Sequence, residues 1–213
     1  MLLDYAIRST VLLALTGAVV LLMRGRSSAW RHIVWLAGLL TLLALPAARA
    51  IAPQWTPPVA AQRFLAAAVP TRTVITVHAT NGSDWSSLDW LLIIWLAGVA
   101  FFLIRAFRAQ FLAARLAQQA TTGPDGARIS DETEVPIVCG LFNPVIVLPA
   151  DSAHWPAARL ESVLRHERMH IARRDTLAQA LARIACALYW PQPLVWLAAS
   201  AMRGACEIGR AHV

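Results

Sequence analysis

Apolar residues come in three long runs, at positions 5–23, 33–51 and 88–104, and each approaches the roughly 20 residues a helix needs to cross a bilayer. Cations sit between and after them. The short loop RGRSSAWRH (24–32) is basic, and Arg105, Arg108 and Arg115 follow the third run. The loop 52–87 holds only Arg63 and Arg72 and is rich in Pro, Thr and Val. Counting positive charge by side predicts the N-terminus outside, 24–32 inside, 52–87 outside, and everything beyond 105 inside. A signal peptide is the competing reading of the first run. The charges Arg24, Arg26 and Arg31 follow that run instead of preceding it, and no clear small-residue cleavage site comes after it. Within the outer loop, Thr73 to Val77 alternates as a short strand would.

Past residue 104 the texture changes. Residues 105–119 are basic and amphipathic and continue the third helix. TTGPDG (121–126) is a turn or linker, which places the domain boundary near here. The runs 135–140 and 145–148, with turn residues from Gly140 to Pro144 between them, predict a β-hairpin. A helix over 160–174 follows, with Asp151 or Ser152 as its cap. Residues 177–188 form an apolar helix, Trp190-Pro191-Gln192-Pro193 breaks it, and 194–209 is the last helix. Two prolines in the middle of 177–200 argue against a fourth span and for a helix-turn-helix on the catalytic core. The expected fold is a mostly α membrane protein, with three transmembrane helices (1–104) followed by a small α+β domain (105–213).

Composition agrees with this picture. The chain is 58% hydrophobic with a mean hydropathy of +0.54, and 15% of its residues are charged, where soluble domains carry about 25%. The formal net charge is +7, carried by Arg. Because that charge flanks the apolar runs, it reads as anchoring at a bilayer surface and not as direct nucleic-acid binding. The three scattered cysteines, Cys139, Cys186 and Cys206, form no disulfide framework and no cysteine metal motif.

The chemistry lies in His166-Glu167-Arg168-Met169-His170. Histidines four apart on a helix stand on one face, one turn apart, and can share one Zn²⁺. Glu167, beside the first of them, can act as general base on a water. Two histidines leave a catalytic zinc one protein ligand short. Glu161 and Asp175, each five residues from the nearer histidine, fall roughly 140° off that face of a straight helix. Only Glu207 offers a carboxylate further downstream, on the last helix; a solvated surface Glu is the alternative reading, and His212 at the terminus is a poorer candidate. Arg173 roughly shares the face of His166 and can orient neighbouring groups or meet a substrate carboxylate. Asp175 can hold a ligand histidine by its second ring nitrogen, or cap the helix, or form a surface ion pair. The strand 145–148 could bind substrate backbone by strand addition.

The run VPIVCGLFNPVIVLPADSAHW followed by LESVLRHERMHIARRD resembles the membrane metallopeptidase domain of bacterial beta-lactam sensor-transducers and related antirepressors. That family shows a G-x-x-x-P-x-I-x-L-P element, here Gly140, Pro144, Ile146, Leu148 and Pro149. HExxH-x-x-R-x-D then follows, here His166, Glu167, His170, Arg173 and Asp175. WPQP resembles its aromatic-plus-proline break, and Glu207 falls where its third ligand, a Glu, is expected. The resemblance implies a gluzincin-like zinc domain on transmembrane helices in the bacterial inner membrane. It implies site-specific cleavage of a regulatory protein, often a transcriptional repressor, or of the chain itself. An oligomer is compatible with it. The family's Cys-Asp pair after the ligand Glu is replaced by Arg210 and Ala211, and the chain ends at Val213. A C-terminally truncated relative is therefore expected, with a catalytically degenerate signalling or scaffold protein as the alternative. An intramembrane protease ranks lowest, because the motif's surroundings are strongly charged.

Overall fold

A computed structural model describes residues 2–51 and 87–208. The expected strand at 73–77 and the positions after Ile208, His212 among them, lie outside the described residues. Three helices form the first layer: α1 (Leu2–Leu22), α2 (Ser28–Ile51) and α3 (Ser87–Gln119). Two stretches are long and apolar enough to cross a membrane, Ser28–Ala48 and Asp89–Gln119. The apolar stretch of α1, Ala6–Leu22, is shorter. α2 continues through Pro46, and α3 runs unbroken from the third apolar run through its basic extension.

Hydroxyls along these helices are satisfied by the backbone of their own helix. Ser9 and Thr10 donate to the carbonyl of Ala6 at 3.0 and 2.7 Å, Thr16 to that of Leu12, and Thr41 to that of Ala37, both at 2.8 Å. Hydroxyls satisfied on their own helix can face an apolar medium. Ile7, Val11, Leu15 and Leu22 of α1 and Phe101, Ile104 and Phe107 of α3 point outward. α1 and α2 approach closely at Gly38, where a Cβ would lie 2.6 Å from the Thr16 side chain, as small residues allow between membrane helices.

The second part begins with a four-stranded sheet of order β1-β2-β4-β3: β1 (Thr121–Thr122), β2 (Arg128–Ser130), β3 (Ile137–Cys139) and β4 (Val145–Pro149). β3 and β4 form the expected antiparallel hairpin, with Ile137 opposite Val147 and Cys139 opposite Val145. Its turn depends on Gly140, at φ +100°, where a Cβ would meet the Asn143 carbonyl oxygen at 2.5 Å. Residues 121–126 are more than a linker: Thr121 and Thr122 pair with Ile129 and Arg128, and β2 then joins β4 in parallel. Such short strands give little periodicity to read. β4 therefore lies between two partners, which corrects the expectation that it offers a free edge; on that side of the sheet the outer strand is β3.

Helix α4 (Ala157–Ala172) carries the HERMH stretch and buries Leu164 against Ile146 and Leu148. Asp151 and Ser152 do not cap it. They belong to a short 3₁₀ turn (Ala150–His154), and Pro156 holds the N-cap position. α5 (Asp175–Leu188) and α6 (Pro193–Ile208) follow on either side of the Trp190–Gln192 break. α5 contacts the HERMH helix α4, and α5 and α6 also share one core with α1 and α2, joining Leu13, Leu39 and Leu42 to Ala182, Ala185, Val195 and Met202. Alanines on both helices allow this close approach.

The turn between α5 and α6 is pinned by aromatic donors. Tyr189 donates to Leu42 O at 3.0 Å, Trp95 to Leu188 O at 3.1 Å and Trp190 to Trp95 O at 3.2 Å. Trp190 lies so close over α3 that a Cβ on Gly98 would stand 2.3 Å from its indole. Gly98→Ala should therefore destabilise the protein by about 1–3 kcal/mol. In a detergent thermal melt this appears as a midpoint lower by at least about 2 °C; an unchanged midpoint would show that Trp190 yields without cost.

Candidate metal centre

The HERMH side chains project from the last two turns of α4. The rings of His166 and His170 stand edge to face, with centroids 5.2 Å apart. The Glu167 carboxylate lies 3.8 Å from His166 Nε2, and its side chain is largely buried. Two imidazoles and a carboxylate thus share one region, with the imidazoles on one helical face as a pair of metal ligands would need to be. Arg168 points elsewhere and ties α4 to the 124–126 turn through Asp125, at 3.2 Å. Glu161 pairs with Arg165 on the exposed face of α4, away from the histidines.

What orders the histidines comes from the next helix. α4 ends at Arg173, and Arg174 adopts a left-handed conformation (φ 55°, ψ 39°), a state that costs a non-glycine residue about 1 kcal/mol or more. The chain reverses there, so Asp175 opens α5 and faces back onto α4. Its Oδ2 accepts from His170 Nδ1 at 2.5 Å and from Arg173 at 3.2 Å. A hydrogen bond through Nδ1 makes Nε2 the nitrogen that would ligate a metal, the arrangement that orients a metal-binding imidazole. Burial pushes the Asp175 carboxyl up. The hydrogen bond from His170 and the charges of Arg173, His170 and His32 outweigh it, and the carboxyl sits below its ordinary value.

Asp175 is 2% exposed, and two further residues enclose it, His32 of α2 and Cys206 of α6. The ligand-type atoms of His32, Asp175 and Cys206 lie within 4.8 Å of one another. Among the described residues this is the one group of three His, Cys or acidic side chains gathered so closely. A dication there would face the Arg173 guanidinium, which already shares the carboxylate, so the group is better read as the support of Asp175. Glu207 immediately follows Cys206 on α6. Its side chain is exposed and is not gathered with His166 and His170 to the same degree. The arrangement thus brings together His166, Glu167, His170, Arg173 and Asp175, and places Glu207 one residue from the group behind them.

His32 and Cys206 carried no signal in the sequence beyond a basic loop and a scattered thiol. His32 lies more than a hundred positions from His166, and only the packing of α2 on α5 and α6 brings it here.

The chain matches the family described as BlaR1 peptidase M56 over residues 1–209. It is also similar to the regulatory protein BlaR1 of Bacillus licheniformis, 34% identical over 73 residues. That segment covers 34% of this chain and 12% of the relative, so the alignment spans a small part of the relative's length. The family match runs from α1 through the HERMH helix and α6, and the chain belongs to the BlaR1 peptidase M56 family.

Proposed function

We propose that this chain is a membrane-anchored zinc metalloendopeptidase that cleaves a regulatory protein, repressor-like in kind, or itself, during signal transduction. The observation that carries the reading is the orientation of His170 by Asp175 beside His166 and Glu167. In the proposed site His166, His170 and Glu207 hold the metal. A zinc ion bound there would lower the pKa of a water toward roughly 7 and polarise the scissile carbonyl.

Glu167 takes the proton from the attacking water and returns it to the leaving amide nitrogen. Its largely buried position, one residue from His166, keeps the carboxylate beside the metal ligands without occupying a ligand place. Arg173 shares the Asp175 carboxylate with His170 and has its own side chain about one-third exposed, so it can also meet a substrate carboxylate. The outer strand β3 supplies a backbone edge for an extended substrate. The topology that goes with this reading has three spans in the bacterial inner membrane, the N-terminus outside and the peptidase region on the cytoplasmic side.

Two substitutions test the chemistry. Glu167→Gln should retain zinc and lower proteolysis by at least about 10²-fold. Both are read on detergent-purified protein, by elemental analysis and by self-cleavage or hydrolysis of a fluorogenic peptide library. Full activity in this variant would sink the mechanism. Asp175→Asn keeps the shape but removes the charge that holds His170, and should weaken zinc affinity about 10–100-fold in a chelator competition; unchanged affinity would mean that Asp175 does not act through His170.

The exposed Glu207 side chain favours a second reading, a non-catalytic signalling or scaffold protein on a vestigial peptidase domain. Elemental analysis separates the two. One zinc per chain that is lost in Glu207→Gln supports the peptidase, whereas substoichiometric zinc in the unaltered protein supports the scaffold.

A further inference from the structure

Away from the histidines, a cavity of about 350 Å³ opens between α3, α5 and α6. Its walls follow from helical spacing. Phe102, Arg105 and Ala109 share one face of α3, Arg183 and Cys186 come from α5, and Trp196 and Arg203 lie two turns apart on α6. Three guanidinium-bearing side chains thus converge on one space with no carboxylate in its lining. Among the described residues none of the three is paired with an acid. Arg183 is half-buried, so its charge is only partly screened by water. Like charges gathered this way repel until an anion joins them.

The position of the cavity selects the anion. Arg105 is the first cation after the apolar run of α3, so the cavity lies where that run gives way to charge. Phe102 and Trp196, 5.0 Å apart, form its aromatic wall, and aromatic rings of this kind collect at the membrane interface. On α3 next to it, Phe101 and Ile104 are exposed and apolar, a surface suited to acyl chains and not to water. A soluble phosphate would need none of this apolar surround.

We propose that Arg105, Arg183 and Arg203 form a binding site for the phosphate headgroup of an anionic phospholipid of the inner leaflet, with its acyl chains along α3. Basic pockets between helices at that level hold such headgroups. The proposal rests on the reading that α3 crosses the bilayer with its basic end inside. The site couples the lipid to α5 and α6, the two helices that carry Asp175 and Glu207.

The test uses the full chain in nanodiscs and in native mass spectrometry, with phosphatidylglycerol and phosphatidylcholine in competition. Retention of phosphatidylglycerol over phosphatidylcholine is expected. The Arg183→Gln/Arg203→Gln double variant should lose about 25-fold in affinity, roughly fivefold for each charge removed. The Arg183→Lys/Arg203→Lys variant should keep most of it, which separates loss of charge from loss of fold. Arg108→Gln, outside the cavity, should change nothing. Equal retention of the two lipids, an unaffected Gln variant, or displacement of the lipid by millimolar inorganic phosphate would overturn the proposal. A carbonate wash of cell membranes separates the two levels. Protein that stays in the membrane without anionic preference refutes the lipid site alone, and protein that washes off refutes the membrane reading and the site with it.

Discussion

A carboxylate taken out of water must be compensated, and Asp175 is both almost fully buried and ionised below its ordinary range. Its partners come from different parts of the chain. His170 and Arg173 belong to the end of the HERMH helix, His32 to α2 and Cys206 to the last described helix. The Asp175 carboxylate holds the His170 imidazole in place and fills the polar junction of α2, α5 and α6 beside His32 and Cys206. The left-handed Arg174 is the backbone conformation that makes the contact possible.

The same junction ties the helices after the HERMH stretch to the N-terminal helices. α5 and α6 are rich in alanine on their inner faces and pack against Leu39 and Leu42 of α2 and Leu13 of α1. Small side chains let helices approach closely, so the helices that bear Asp175 and Glu207 are packed directly on α2. The aromatic hydrogen bonds from Tyr189, Trp95 and Trp190 hold the α5–α6 turn against α2 and α3 from the far end.

Charge is distributed to match. The outward faces of α1 and α3 are apolar, while Arg105, Arg183 and Arg203 converge at one level beside Trp196. The sheet, by contrast, buries a small separate core of Ala127, Ile146, Leu148 and Leu164, and its role is to seat α4 beside the outer strand β3.

Much of this was legible along the chain, because it depends on local order. Apolar runs marked α1 to α3, the Gly140–Pro144 turn marked the β3–β4 hairpin, and histidines four apart marked a shared helical face. Helical geometry alone, however, placed Asp175 off that face. A straight helix would keep it there, but the chain reverses at Arg174 and returns the carboxylate to His170. The sequence likewise suggested a free edge at β4, because nothing in residues 121–130 signalled two more strands. His32 and Cys206 were invisible as neighbours of Asp175, since contacts across such separations leave no periodicity. Local pattern by itself determined the helices, the hairpin and the shared helical face of His166 and His170. Only the tertiary structure decided which side chains hold His170 and what packs behind them, because burial and long-range contact are set by how helices meet and not by the order of residues within them.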